Sequence, residues 1–165
     1  MKVERDIRIG APRPRVWEFL WDVPRLAACI PGATDVRAVE DGKRYAAVVA
    51  DKLGPFRVKF PLEIEVLEAH APERLRARAG GRDTAVDGLV KVDLDVALTE
   101  VEGGTGFHLA ADIAVLGKLG TLGHSVIVRR GNDIVDRFAA NVCRALESQG
   151  GGEAWGRSGA SLSPQ

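Results

Sequence analysis

Residues 26–33 read LAACIPGA, and at this stretch the hydrophobic pattern of the chain changes. Pro31 has no backbone N–H and Gly32 tolerates a positive φ, so a helix that runs through Cys29 has to end here. Before the turn, apolar residues recur at helical spacing, whereas after it they alternate as they do in a strand. A Pro-Gly pair alone is typical of any helix end. Its place within an ordered series of elements is what predicts a fold.

One strand and two short helices are predicted before this turn. Residues 2–10 place apolar side chains among charged ones, which suits a first strand. Pro12 and Pro14 suit the first turn of a helix, where a missing N–H leaves no hydrogen bond unmade. Asp22 and Pro24 separate this helix from a second one that runs through Cys29. The apolar stripe of the first helix consists of Val16, Phe19, Leu20 and Val23.

Six strands and one long helix are predicted after the turn. Turn signals at residues 41–42, 54–55 and 102–104 are short, so the sheet is expected to be antiparallel. The most regular strand covers residues 83–99, and Pro61 within another run indicates an edge strand or a bulge. The last segment repeats apolar residues at spacings of three, four and seven, which predicts a helix. These residues are Val128, Val135, Phe138, Val142 and Leu146.

Composition argues against several classes of protein. The 165 residues contain 23 Lys and Arg against 23 Asp and Glu, without the basic excess of a nucleic-acid binder. Cys29 and Cys143 lie in apolar surroundings and are interpreted as buried thiols rather than a disulfide. The three histidines share no metal-ligand spacing with them, so no metal site is predicted. No segment predicts a signal peptide or a membrane span, so a cytoplasmic location is expected.

This order of elements resembles the START/Bet v 1-like helix-grip fold of the SRPBCC superfamily, and several motifs narrow the resemblance. The motifs are residues 12–17 with Leu20, residues 26–33, residues 54–56 with Val58, and GKLGTLG at 117–123. On them, the chain resembles the CoxG family of carbon monoxide dehydrogenase subunits over about residues 1–148. The implied fold is α+β, with a curved antiparallel sheet of about seven strands wrapped around a long C-terminal helix. Residues 1–148 would form the ligand-binding domain, and the Gly- and Ser-rich residues 149–165 a flexible tail.

The resemblance implies a non-catalytic binding protein with an apolar cavity for a quinone or another lipid-like molecule, and no covalent cofactor. It implies subunits of a carbon monoxide dehydrogenase-type molybdenum hydroxylase as partners, with a role in membrane recruitment or electron transfer. Membrane contact would be peripheral, at the cytoplasmic face of the inner membrane. Two alternatives stay open: an adaptor or maturation factor without a ligand, and a helix-grip enzyme. The almost wholly apolar inward rows and the absence of a catalytic constellation disfavour the enzyme.

Inward-facing apolar residues are the candidates for the cavity wall, and each would fit a solid core equally well. They are Ile30, Phe60, Ile64, Val90, Leu94, Phe107, Leu109 and Phe138. A second set would form a mobile rim at the cavity mouth, because glycines lower the cost of local rearrangement. Close packing of that segment on the sheet is the alternative. The rim residues are Leu116, Gly117, Leu119, Gly120, Leu122, Gly123 and His124. The candidates to orient a polar head group are Tyr45, Thr84, His124 and His108, although strand parity points His108 outward.

Overall fold

The structure, a computed structural model, describes residues 1–83 and 85–151. Within them the strands are β1 (Lys2–Ile9), β2 (Ala33–Glu40), β3 (Arg44–Leu53), β4 (Phe56–His70), β5 (Arg74–Asp83), β6 (Gly88–Val101) and β7 (Gly104–Gly117). The helices are α1 (Arg13–Trp21), α2 (Val23–Cys29) and α3 (His124–Gly151), and a 3-10 helix (Lys118–Leu122) joins β7 to α3. Thr84 and the predicted tail beyond residue 151 lie outside the described residues. The domain division at residue 148 therefore stays a prediction.

All seven strands form one sheet in the order β1-β7-β6-β5-β4-β3-β2, and every neighbouring pair is antiparallel. The register of β2 against β3 shifts twice, between Thr34 and Arg37 and again before Glu40. The register of β4 against β5 shifts once, between Val66 and Glu68. Because such irregularities bend strands and increase their twist, the sheet can curve around a helix. The predicted helix-grip fold is confirmed.

The helix pair forms as the sequence predicts. Asp22 ends α1 and caps α2, since its side chain accepts a hydrogen bond from the Arg25 N–H at 3.5 Å. Trp17 and Trp21 lie one turn apart on α1, and their rings meet edge to face with centroids 5.8 Å apart. Arg25 stacks its guanidinium over the Phe19 ring at 4.9 Å. These contacts hold the two helices against each other.

Two expectations about the strands are wrong. Pro61 lies in the interior strand β4 and pairs with Val48 of β3 without a register shift, so it marks neither an edge nor a bulge. The pairing of β4 with β5 begins one residue later, at Leu62, so the missing N–H of Pro61 breaks no bond to β5. The strand expected over residues 83–99 begins only at Gly88, because Asp87 has a φ of 53° and ends a turn.

Two hydrophobic clusters occupy opposite ends of the inner face of the sheet. The first cluster joins β1, β6 and β7 to α1, α2 and the C-terminal half of α3. Its buried residues are Val3, Ile9, Ala11, Val16, Phe19, Leu20, Cys29, Val96, Leu98, Phe107, Leu109, Val135, Val142 and Leu146. The smaller second cluster has Val58, Phe60 and Leu119 at its centre, where β4 meets the 3-10 helix. The functional site is sought between them.

Candidate ligand-binding site

Between the two clusters, inward-facing side chains of the sheet are only half-buried. Ile64 of β4 and Val92 of β6 lie in one cross-strand row, joined through Ala79 of β5. Their inward direction follows from strand parity, because Ile64 lies four residues from Phe60 and Val92 two residues from Leu94. Ile64 and Val92 pack against neither cluster. Inward apolar groups that still meet solvent border a space that the protein's own side chains do not fill.

One face of α3 borders the same space. Ile127 and Ile134 are half-buried and pack against neither cluster. Arg130 lies on this face too, because residues three and four apart on a helix are neighbours. Its Nε donates to both carboxylate oxygens of Asp51 on β3, at 3.1 and 2.9 Å, and its Nη2 donates to one of them at 2.5 Å. We call the space bordered by Ile64, Val92, Ile127 and Ile134 the interior gap.

Two polar contacts fasten this side of α3 to the rest of the protein. The first is the ion pair of Arg130 with Asp51, and hydrogen bonding to this carboxylate raises the pKa of Arg130. The second is the hydrogen bond from the Asn141 side chain to the carbonyl of Cys29 at the end of α2, at 3.0 Å. Eleven residues of helix rise separate the two contacts by about 16 Å. Ile134 faces the opening between them, which we call the lateral portal.

Sequence reasoning missed two carboxylates on the inward rows. Asp51 shares strand parity with the buried Ala47, and this interruption of an apolar row was the available signal. Asp83 is 5% exposed and ends β5. Its Oδ2 accepts the N–H of Lys59 at 2.6 Å, and its Oδ1 accepts the N–H of Ala85 at 2.8 Å. The bond from Lys59 is the main cause that lowers the pKa of Asp83. The short-range half of this arrangement is an Asx turn, which Asp favours.

The predicted wall residues fall into three groups. Phe107 and Leu109 are buried in the first cluster, against which Leu94 and Phe138 pack. Phe60 is buried in the second cluster, against which Val90 packs. Ile64 and Ile30 are half-buried and lie outside both clusters. Ile64 therefore borders the interior gap directly, and the ligand contacts of the whole set stay a prediction.

The predicted rim forms the end of β7, the 3-10 helix and the start of α3. Gly117 and Gly123 have positive φ values of 73° and 99°, so both positions favour glycine. Leu119 is fully buried in the second cluster, so in this conformation it cannot be offered to a membrane. Leu116 is 44% exposed, whereas Leu122 packs against the second cluster. The remaining rim residues, Gly120 and His124, are exposed.

The candidates for head-group contacts do not converge on the interior gap. The Tyr45 hydroxyl accepts a hydrogen bond from the Gly42 N–H at 2.9 Å, at the β2–β3 turn. His108 points outward, as predicted, with its Nδ1 2.7 Å from a carboxylate oxygen of Asp6. Thr84 lies outside the described residues. Arg130 is thus the polar group that the structure brings to the gap and that the sequence did not indicate.

A second concavity, a groove of about 880 Å³, runs across β2 to β6. Most of its lining residues belong to outward rows, such as Arg44, Glu65 and Arg78, which are paired across neighbouring strands. Ile64 is the one predicted wall residue that it contacts. This polar groove is distinct in chemistry from the predicted apolar cavity. Among the described residues, no helix is long and apolar enough to cross a membrane, and no group of three His, Cys, Asp or Glu could hold a metal ion.

Comparison with solved structures supports the fold. The chain is similar to a conserved protein from Geobacillus kaustophilus, with 18% identity, a TM-score of 0.81, and coverage of 90% of this chain and 97% of that one. It is also similar to TTHA0849 from Thermus thermophilus, with 15% identity, a TM-score of 0.69, and coverage of 90% and 99%. CV1439 from Chromobacterium violaceum matches with 16% identity, a TM-score of 0.64, and coverage of 88% and 96%. At these identities the likeness concerns the fold alone.

The sequence itself matches at the level of a family. No curated protein matches it. The model of the CoxG family of carbon monoxide dehydrogenase subunits matches residues 6–147, which contain every element from α1 to the 3-10 helix and nearly all of α3. Both the interior gap and the lateral portal lie within the matched residues. The chain therefore belongs to the CoxG family of carbon monoxide dehydrogenase subunits.

Proposed function

We propose that this protein is a non-catalytic carrier of an apolar, quinone-like or lipid-like molecule, working with a molybdenum hydroxylase of the carbon monoxide dehydrogenase type. The observation that carries the proposal is the set of half-buried apolar side chains around the interior gap, on both the sheet and α3. Protein interiors are ordinarily close-packed, so an unfilled apolar space lacks dispersion contacts that an apolar guest would supply. Burial of a ten-carbon chain contributes up to about 8 kcal/mol before the costs of association.

The charged groups near the interior support binding rather than catalysis. A general acid or base needs a proton to exchange and a free position from which to exchange it. The lowered pKa of Asp83 keeps this group ionised, and its oxygens accept backbone N–H groups. Asp51 is held by the bidentate contact with Arg130. Both carboxylates are therefore committed to holding the fold together.

Membrane recruitment of the hydroxylase, or electron transfer through a carried quinone, would follow from such a carrier. A ligand-free adaptor is the second candidate, and the polar groove of about 880 Å³ favours it. Alternating charges along that groove, including the pair of Arg78 with Asp93 at 3.0 Å, are suited to contact with another protein. The two candidates differ in whether the interior gap has to be occupied.

The test fills the interior gap and measures binding of decylubiquinone by isothermal titration calorimetry. The change Ile134→Trp places a large side chain in the gap, and Ala140→Trp makes the same kind of change on the exposed face of α3. We expect Ile134→Trp to abolish binding and Ala140→Trp to preserve it, with both variants folded by circular dichroism. If the unaltered protein binds neither decylubiquinone nor a co-purifying lipid, yet retains hydroxylase subunits, the carrier function is refuted and the adaptor is supported.

A further inference from the structure

The guanidinium of Arg130 has donors to spare beside the lateral portal. An arginine side chain carries five N–H groups. Within the described part of the chain, Asp51 accepts from Nε and from one N–H of Nη2, and Asp133 accepts from one N–H of Nη1 at 2.7 Å. Two N–H groups remain, and the side chain is 29% exposed, so it can be reached from solvent. An oxygen atom arriving at the portal would find these donors already oriented.

The surrounding charges select the kind of oxygen. Asp51 and Asp133 both contact Arg130, and Arg137 lies 3.4 Å from Asp133. Two arginines and two carboxylates make this group of four neutral overall. An anionic head group would meet Asp51 and Asp133 without a surplus of positive charge, and it would also lose its own hydration. A neutral carbonyl oxygen needs only the donors, so it fits this site better than a carboxylate does.

We propose that Arg130 is the head-group anchor of the interior gap, and that it selects amphipathic molecules with a neutral carbonyl, such as a quinone, over fatty-acid anions. This inference rests on the proposed carrier function. The carbonyl would accept the spare N–H groups of Arg130 at the lateral portal, while the apolar chain lies along Ile134 toward Ile64. The ion pair with Asp51 keeps the guanidinium in place in the absence of a ligand.

The test compares three probes by isothermal titration calorimetry: decylubiquinone, decylbenzene without a carbonyl, and the anion dodecanoate. For Arg130→Met we expect about tenfold weaker binding of decylubiquinone, as for one lost hydrogen bond, with binding of decylbenzene unchanged. Arg137→Met is the matched control, because Arg137 shares the partner Asp133 but is 60% exposed. It should leave the affinity for both probes unchanged.

A second variant covers the case in which Arg130→Met does not fold. Asp51→Asn keeps the guanidinium and removes one negative charge, so the affinity for dodecanoate should rise about tenfold relative to decylubiquinone. The proposal is overturned if Arg130→Met weakens decylubiquinone and decylbenzene equally, or if Asp51→Asn leaves the order of affinities unchanged. If the unaltered protein binds none of the three probes, the carrier function itself fails, which is a different result from loss of head-group selection.

Discussion

Replacement of Asp83 by asparagine is the sharpest test of how the end of β5 is held. In the native protein the carboxylate accepts backbone N–H groups from Lys59, Ala85 and Val86, at 2.6, 2.8 and 3.3 Å. An asparagine keeps one acceptor oxygen, and its NH2 group would face a backbone donor on the other side. At least one charge-assisted hydrogen bond is lost, and the others become weaker. We expect the free energy of unfolding to fall by about 2–4 kcal/mol.

The pH dependence of this effect has a definite sign. The pKa of Asp83 in the folded protein lies below its ordinary value of 3.8, chiefly because of the bond from Lys59. A group with a lowered folded pKa contributes stability above its unfolded pKa, and this stability is lost as pH falls through the folded value. The difference between the native protein and Asp83→Asn should therefore be constant above about pH 5 and narrow below about pH 4.

The assay is urea unfolding followed by circular dichroism, repeated between pH 3 and pH 7. Asp41→Asn serves as the matched control, because Asp41 is exposed in the β2–β3 turn and should change stability by less than about 0.5 kcal/mol. Equal losses in the two variants would refute the role given to Asp83. A loss in Asp83→Asn that stays the same at every pH would show that the carboxylate charge is not involved.

Two further predictions concern the segment between β7 and α3. Leu119→Ala should lower the free energy of unfolding by about 3 kcal/mol, because Leu119 is fully buried, whereas Leu116→Ala at an exposed position should cost less than about 1 kcal/mol; urea unfolding checks both. Gly117→Ala should destabilise by more than about 2 kcal/mol, since its φ is 73° and a Cβ would lie 2.5 Å from the Asp87 carbonyl oxygen. Gly42→Ala has a similar φ but open space, so thermal unfolding should show a smaller loss, and equal losses would contradict the steric argument.

Local patterns were sufficient to predict the order of elements. The inward rows of β4 and β6 alternate regularly, and their parity was predicted correctly on both sides of Ile64 and Val92. The two strand errors have one physical origin. Gly80 and Gly81 read as a turn, whereas Gly81 lies within β5, where a Cβ would stand 2.4 Å from the Pro61 carbonyl oxygen. Glycine is needed there for close strand approach, a reason that only the neighbouring strand reveals.

The candidate site was less accessible to sequence reasoning, because its polar parts are joined over long distances. Arg130 and Asp51 are 79 residues apart, and Asn141 and Cys29 are 112 residues apart. On the helix, Arg130 reads as one of several charged residues, and on β3 Asp51 reads as an irregularity. Neither has a meaning until α3 is laid across the sheet. The apolar candidates were found more readily, since strand parity alone determines that they face inward.

The uneven packing of the interior explains why the lateral portal, rather than the glycine-rich rim, is the better route for a ligand. Opening at the rim would expose the second cluster, including the fully buried Leu119, and would cost the burial energy of that cluster. Opening at the portal requires only that one half-exposed ion pair, Arg130 with Asp51, change partners. Exposed ion pairs contribute little to stability, whereas buried leucines contribute several kcal/mol. The same arginine can therefore hold α3 against β3 in the empty protein and donate to a carbonyl when a ligand arrives.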